Sequence, residues 1–281
     1  MRPSASAHPA NRIALLYGVH GSESIGSTYI ASLLEYFIAK TYTDLEIQIY
    51  GPLFPWSAAR SYRFDSDLVD PNRVFSKQLN HSSNVSALNI FHQLWFSQRP
   101  RDEKQILDFL AKCQSLQLPL QAFLSSPQAL YPGLPGYCLS PALERYKACV
   151  QNLLDKIIIG LGPGSPILLI DVHLGIGDHA RTTIHADDLG IIAPLPDGSV
   201  LGELCFRLRK EGFLPRAFVT ETGCLSNLHG LLNLLQELAH RCFSTNHLLV
   251  PLRPLVDPTW RHTLDTYFPI DFHERILPLL P

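Results

Sequence analysis

Arg12-Ile13-Ala14-Leu15-Leu16-Tyr17 runs directly into Gly18-Val19-His20-Gly21-Ser22-Glu23, and this junction predicts how the chain folds. The first six residues are a short, mostly apolar run that stops at a glycine, which is typical of a buried strand. Ser24–Lys40 follows with apolar residues at helical spacing. His20 and Glu23 therefore lie at the carboxyl end of a predicted strand, where open α/β sheets bind their ligands.

A histidine and a carboxylate three positions apart can both point at one ion. Imidazole nitrogen and carboxylate oxygen are ordinary zinc ligands, and a catalytic zinc takes three protein ligands and keeps one position for water. A His-x-x-Glu pair alone is common by chance and more often marks a solvated turn. The interpretation therefore requires a third ligand, a general base and a substrate anchor elsewhere in the chain.

Strand and helix patterns alternate along the rest of the sequence, which indicates an α/β layered domain with a largely parallel sheet. The predicted strands are Leu45–Tyr50, Pro166–Val172, Ala217–Thr220 and a short Ile191–Ala193. The predicted helices are Asn84–Lys112 in two pieces broken near Pro100, Pro141–Ile159, Ser199–Lys210 capped by Asp197, and Leu228–Cys242. Gly51–Asp70 and Ser125–Tyr137 are predicted loops, and the tail from Pro251 shows no clear pattern.

Composition narrows the functional classes. The chain has 281 residues, 46% of them hydrophobic and 17% charged, with a net charge of −2, so it suits a globular domain and gives no basic surface for nucleic acid. We expect no signal peptide and no membrane span, because apolar runs of about 18 residues do not occur. Six scattered cysteines without a CxxC pair predict reduced thiols and a cytoplasmic location.

Three further places carry suitable chemistry. His173 follows the apolar run of Pro166–Val172 and could complete a His/Glu/His set. Asn72 and Arg73 are adjacent and could grip a carboxylate, while Arg63 could polarise a carbonyl. Glu221 follows another predicted strand and could move a proton between water and a leaving amine.

Each of these residues also has an ordinary structural interpretation. A single strand-end histidine usually bonds to backbone, a single arginine usually forms a surface ion pair, and Glu221 could cap the next helix. Asp178, His179 and His185 lie close to His173 in sequence, and His185 is the substitute ligand if His173 points away. The hypothesis of a metal site depends on the complementary chemistry of the whole set.

The order of the motifs resembles the carboxypeptidase A-like zinc peptidase superfamily, which also holds the succinylglutamate desuccinylases and aspartoacylases. The pattern of that superfamily is HxxE, then D-x-N-R, then a strand-end histidine and a later glutamate. This chain has GVHGSESIGS, FPWSAARSYRFDSDLVDPNRVF, DVHLGIG and ETG in that order, and its ALYPGLPGY segment is similar to a loop of an uncharacterised bacterial branch. Together the matches span residues 12 to about 223.

The resemblance implies one zinc ion per chain, and each role is carried over by position. Zinc would be held by His20, Glu23 and His173; Glu221 would be the general base and acid; Asn72 and Arg73 would anchor a substrate carboxylate; Arg63 would stabilise the oxyanion; and Asp70 would orient His20. It also implies a three-layer α/β/α sandwich with a mixed, largely parallel sheet. Residues 1–281 would form a single zinc carboxypeptidase-like domain with a mainly helical insertion at about 84–158.

These roles predict a hydrolase that cleaves an amide bond next to a free carboxylate, in a small peptide or an N-acyl amino acid. The sequence does not separate a carboxypeptidase from a deacylase. Phe54, Pro71, Leu174 and Ser24 depart from the pattern of the branch, although no predicted ligand is lost. They motivate a second hypothesis, a catalytically silent metal- or ligand-binding protein on a peptidase scaffold. A third is that the motifs are coincidental and the histidines are structural.

Overall fold

A mixed five-stranded sheet forms the centre of the part of the chain that the structure describes. This computed structural model describes residues 12–66, 69–75, 85–118, 141–176, 178–185, 199–225, 227–243 and 258–280. The strand order is β2-β1-β3-β5-β4, in which β4 alone is antiparallel to its neighbour. The strands are β1 (Arg12–Tyr17), β2 (Glu46–Tyr50), β3 (Pro166–Ile176), β4 (Thr182–His185) and β5 (Leu214–Leu225). The predicted α/β class with a mixed, largely parallel sheet is confirmed.

Eight α-helices accompany the sheet within the described ranges. They are α1 (Ser24–Thr41), α2 (Pro55–Arg60), α3 (Val85–Gln98), α4 (Glu103–Ser115), α5 (Pro141–Ile157), α6 (Val200–Lys210), α7 (Asn227–Phe243) and α8 (Pro258–Asp271). A π-helical turn, Phe272–Ile276, and a 3₁₀ turn, Leu277–Leu279, continue from α8. None of the helices in these ranges is long and apolar enough to cross a membrane.

The two central strands are covered on both faces. Ile13 to Leu16 of β1 are all fully buried, and Ile167 to Val172 of β3 are also buried. Because successive side chains of a strand point to opposite faces, burial of a whole run requires a layer of structure on each side. Helices α5 and α6 contact each other, while Phe37 of α1 packs against Phe268 of α8 with ring centroids 5.7 Å apart.

The sheet has a topological switch point between β1 and β3. From β1 the chain crosses through α1 to β2 on one side, whereas from β3 it crosses through α6 to β5 on the other side. Right-handed crossovers in opposite directions place their helices on opposite faces and leave a crevice at the carboxyl ends of the two strands. His20 and Glu23 follow the carboxyl end of β1, and His173 lies three residues before the carboxyl end of β3.

A second hydrophobic cluster lies beside the sheet. Helices α3 and α4 contact each other, and α4 contacts α7. The cluster holds buried side chains from these three helices together with Phe64, which is fully buried. Within it, Trp95 and Phe109 meet edge to face with ring centroids 5.1 Å apart. Helix α7 is therefore supported from behind by α3 and α4.

The carboxyl-terminal helix α8 is hydrogen-bonded to the edge strand β4 and to the end of its neighbour β5. Asp271 at the end of α8 is fully buried, and its carboxylate accepts hydrogen bonds from the Arg181 guanidinium at 2.6 Å and from the Thr182 N–H at 2.9 Å. The indole N–H of Trp260 donates to the Gly223 carbonyl at 2.9 Å. The tail, which gave no sequence pattern, thus holds β4 and the end of β5 in place.

Most predicted elements are confirmed to within two residues, but several details were wrong. The predicted loop over 51–70 contains α2, and β4 was not predicted. Helix α6 starts at Val200 with Ser199 as its N-cap, whose hydroxyl accepts from the Gly202 N–H at 3.0 Å. Asp197, the strand predicted at Ile191–Ala193 and the loop predicted at Ser125–Tyr137 lie outside the described residues.

Candidate metal centre

The structure brings the three predicted metal ligands together. One ligand atom each from His20, Glu23 and His173 lie within 4.8 Å of one another, and all three residues are buried. His20 Nδ1 lies 2.8 Å from Glu23 Oε1, and His173 Nδ1 lies 3.0 Å from Glu23 Oε2. The Glu23 carboxylate thus lies between two ring nitrogens, and all three groups can face a common point.

The turn after β1 sets the positions of His20 and Glu23. Gly21–Glu23 forms a single 3₁₀ turn that leads into α1. A Cβ at Gly21 would lie 2.0 Å from the backbone carbonyl carbon of Ser57, so only glycine allows α2 to pack this closely on the turn. The Ser22 N–H donates to the Tyr62 carbonyl at 2.9 Å, which joins the turn to the segment after α2.

An aspartate holds the far nitrogen of each histidine. Asp70 Oδ1 lies 3.1 Å from His20 Nε2, and Asp171 Oδ2 lies 3.0 Å from His173 Nε2. Such carboxylate–histidine pairs fix the ring orientation and tautomer of metal ligands. Asp171 was not predicted, but the Asp-x-His spacing signals it because alternate strand residues share a face.

The cluster carries an excess of buried negative charge. Glu23, Asp70 and Asp171 are at most 4% exposed. Burial raises the pKa of Glu23, but the charge of His20 and hydrogen bonds from both histidines outweigh it and hold this pKa well below its usual value. Burial lowers the pKa of His173, but Asp171 and Glu23 outweigh it and raise this pKa well above its usual value. The cluster therefore favours the ionised form of Glu23 and the protonated, positively charged form of His173.

The donor set fits a divalent cation. The carboxyl groups of Glu23, Asp70 and Asp171 outnumber the single guanidinium of Arg63 in this cluster, and buried charges need a counter-charge. Two imidazole nitrogens and one carboxylate oxygen are also the ligand types of catalytic zinc sites. His20, Glu23 and His173 are thus the residues that would hold the ion.

Arg63 reaches the same cluster. Its Nη1 lies 3.4 Å from Glu23 Oε1 and its Nη2 lies 3.2 Å from Asp70 Oδ2. Burial lowers the pKa of Arg63, but the charges of Asp70 and Glu23 outweigh it and raise the pKa, so the guanidinium remains a cation. A fixed cation at this place can act on a carbonyl that binds beside the cluster.

Glu221 lies on the strand next to His173, although its predicted place at a strand end was wrong. Strand β5 continues to Leu225, and Glu221 pairs with His173 of β3 on one side and with Thr183 of β4 on the other. The prediction ended the strand at Thr220 because the apolar run stops there. His173 likewise lies inside β3, which ends three residues later.

The Glu221 carboxylate occupies space that a side chain at position 175 would fill. A Cβ at Gly175 would lie 1.9 Å from Glu221 Oε1. Gly175 is two residues beyond His173 and shares its face of the sheet, so the carboxylate lies beside the histidine. Gly175 lies within the DVHLGIG motif, and the sequence alone predicts no role for it.

Replacing Gly175 by Ala tests this packing. The far end of a glutamate side chain can swing away, so we expect the fold and metal content to be retained while the carboxylate is displaced and kcat falls about 10- to 100-fold. The measurement is kcat beside metal content and thermal midpoint. Gly162→Ala is the control, since a Cβ there meets nothing within 4 Å. An unchanged kcat in Gly175→Ala would contradict the assigned packing.

The predicted substrate anchor is described only in part. Asp70 caps the 3₁₀ turn Pro71–Arg73 by accepting from the Asn72 N–H at 2.9 Å, and Asn72 is buried. The side chain of Arg73 lies outside the described residues. Asn72 and Arg73 therefore share a turn that starts at the aspartate holding His20, and their binding roles remain predictions.

The alternative ligands near His173 do not join the cluster where they are described. Asp178 and His179 are exposed, and the side chain of His185 lies outside the described residues. His185 itself pairs with Val219 at the end of β4. The described residues thus assemble His20, Glu23 and His173 as their candidate ligand set.

Fold and site together define an α/β protein with a candidate metal centre at its switch point. No protein-family model and no curated protein sequence matches the chain. Among solved structures, the succinylglutamate desuccinylase of Chromobacterium violaceum is similar at 13% identity and a TM-score of 0.37. The similarity covers 86% of this chain and 63% of that one, so this chain spans less than two thirds of the desuccinylase.

Two further structures show the same level of similarity. A candidate metallopeptidase from Shewanella amazonensis SB2B has 15% identity and a TM-score of 0.38, over 86% of this chain and 78% of that one. A candidate succinylglutamate desuccinylase/aspartoacylase from Shewanella frigidimarina NCIMB 400 has 14% identity and a TM-score of 0.34, over 88% and 67%. All three TM-scores are below 0.5 and no identity exceeds 15%, so we draw no conclusion about function from these similarities.

Proposed function

We propose that this protein is a zinc-dependent hydrolase that cleaves an amide bond next to a free carboxylate. The observation that carries the proposal is the buried His20–Glu23–His173 cluster with Arg63 in contact and Glu221 on the neighbouring strand. This arrangement combines a metal site, a cationic donor and a carboxylate base.

The metal would supply the nucleophile. Bound zinc lowers the pKa of water from 15.7 to about 7 and polarises carbonyl oxygens. Zinc is the preferred ion because the donor set is two imidazole nitrogens and one carboxylate oxygen. Asp70 and Asp171 hold the far ring nitrogens of the histidines, both Nδ1 atoms face Glu23, and the two histidines would hold the ion through these atoms together with Glu23.

Glu221 and Arg63 would perform the remaining chemistry. Glu221 would accept a proton from the attacking water and return it to the leaving amine, which requires no other acid. Arg63 would donate to the oxygen of the scissile carbonyl as negative charge develops there. A donor of this kind is typically worth about 3 kcal/mol of barrier.

The substrate would be recognised through its carboxylate. Asn72 and Arg73 lie on one short turn, and an arginine fork with a neighbouring amide suits a carboxylate. A small peptide and an N-acyl amino acid both offer an amide beside a carboxylate. We propose both as substrate classes. We also propose that the protein acts in the cytoplasm, as its cysteine pattern predicts.

Arg73→Ala tests the anchor. We expect KM for substrates with a free carboxylate to rise about 10- to 100-fold with a smaller change in kcat, because a charged hydrogen bond used mainly for binding is lost. Steady-state kinetics on paired substrates, one with a free and one with an amidated carboxylate, provides the measurement. Equal losses on both substrates would contradict the anchor role.

A substrate screen with metal analysis tests the function itself. The purified protein, loaded with zinc, is assayed on a panel of short peptides and N-acyl amino acids. Turnover that disappears with a chelator and returns with zinc supports the hydrolase. A stoichiometric metal with no turnover across the panel would favour the catalytically silent binding protein.

A further inference from the structure

Glu237 on α7 is a buried carboxylate that the proposed chemistry does not use. It is 4% exposed. Its Oε2 accepts the backbone N–H of Arg63 at 2.6 Å, and its Oε1 accepts the backbone N–H of Phe64 at 3.0 Å. Burying a carboxylate is costly unless it is hydrogen-bonded, so this pair of bonds accounts for a carboxylate at this place.

Neighbouring residues of α7 hold the same segment. His240 Nε2 lies 3.2 Å from the Tyr62 hydroxyl, and the Arg241 guanidinium donates to the Ser66 carbonyl at 3.0 Å. These residues follow Glu237 by three and four positions, so all three occupy one face of the helix. Residues 62–66 are therefore attached to α7 along their length.

The hydrogen bonds from Glu237 hold the backbone of Arg63, whose side chain is held only at its far end. The Arg63 guanidinium is held at both Nη atoms by Glu23 and Asp70, but its Nε has no hydrogen-bond partner among the described residues. The base of the side chain is therefore positioned by the backbone. The residue after Arg63, Phe64, is held in place because its side chain is buried in the cluster with α3, α4 and α7.

We propose that Glu237 is a positioning residue, which holds the backbone of Arg63 from α7 so that the guanidinium stays directed at the candidate metal centre. The catalytic consequence rests on the proposed function, because it takes Arg63 as the donor to the substrate carbonyl. The anchoring itself is a property of the fold and can be measured without turnover.

Glu237→Gln removes half of the anchor at almost constant volume. A carboxamide has one acceptor oxygen, so it can satisfy one of the two N–H groups and presents a donor to the other. Glu203→Gln is the matched control, because Glu203 pairs with Arg207 four residues later on α6, as Glu237 pairs with Arg241 on α7. If the Gln variant does not fold, Glu237→Asp makes the same comparison, since its shorter side chain cannot span both N–H groups.

The first measurement is amide hydrogen exchange of the protein. Burial raises the pKa of Glu237 to about 7, although the hydrogen bonds from the Arg63 and Phe64 N–H groups lower it. The experiment is therefore run at pH 8, where the carboxylate is ionised. We expect the amides of Arg63 and Phe64 to exchange at least about tenfold faster in Glu237→Gln than in wild type or Glu203→Gln. Unchanged exchange would overturn the proposal.

The second measurement is kinetic. We expect kcat of Glu237→Gln to fall about 10- to 100-fold with little change in KM, because a misplaced donor weakens only the transition state. Combined with Arg63→Ala, the substitution should add little to the loss that Arg63→Ala causes alone. Metal content should remain at the wild-type level.

The outcomes separate the two proposals. If Arg63→Ala lowers kcat but Glu237→Gln does not, or if the two losses multiply fully, the positioning role is wrong while the hydrolase stands. If wild type shows no turnover, the proposed function fails and hydrogen exchange alone decides whether Glu237 anchors the segment.

Discussion

Glu221→Gln is expected to lower kcat by at least about 100-fold, the lower end of what a general base contributes. The amide keeps the size of the carboxylate but cannot accept a proton from water. The carboxylate lies against Gly175 beside His173 and is not part of the ligand set, so metal content should stay at the wild-type level. The measurement is kcat and metal content on the same preparation.

Glu211→Gln serves as the control, because the substitution is chemically the same and Glu211 is exposed at the end of α6. A Glu221→Gln enzyme that retains activity would contradict the assignment of the base. Loss of metal together with activity would instead place Glu221 among the ligands.

His20→Ala and His173→Ala are each expected to remove the metal. Wild-type protein should contain about one zinc per chain by elemental analysis, and each variant should contain almost none, since two protein ligands no longer define the three-ligand site. The fold should survive, because α1 and β3 are held by the large apolar core. Circular dichroism on the same samples checks this.

His262→Ala is the control for these two variants, since His262 is an exposed histidine on α8. Wild-type protein that takes up no zinc even after reconstitution would contradict the whole mechanism. Zinc retained by His173→Ala would revive His185 as the third ligand.

The elements predicted best were those whose patterns come from burial. β1 and the first seven residues of β3 are mostly apolar and mostly buried, with Arg12 and Asp171 as the charged exceptions, and such runs need layers on both faces to be stable. The ligands were predictable because they follow these runs. His20 and Glu23 also lie within four consecutive residues, so local sequence alone places these two ligands together.

The features that could not be predicted from the sequence depend on contacts between residues far apart in the chain. Strand β5 continues past its apolar run because β3 and β4 pair with it on both sides, and no local pattern carries that information. Glu237 lies 174 positions from Arg63, and only packing of α7 brings them together. The role of Gly175 likewise depends on a side chain from another strand.

Because side chains of β3 alternate between the two faces of the sheet, the candidate site depends on the length of this strand to the residue. Asp171, His173 and Gly175 occupy one face, while Val172 and Leu174 point to the other. Insertion or deletion of one residue upstream within β3 would exchange these faces, placing the acid and the imidazole in the hydrocarbon layer and leucine against Glu23. Point substitutions can adjust this site, but length variation in its central strand would destroy fold and chemistry together.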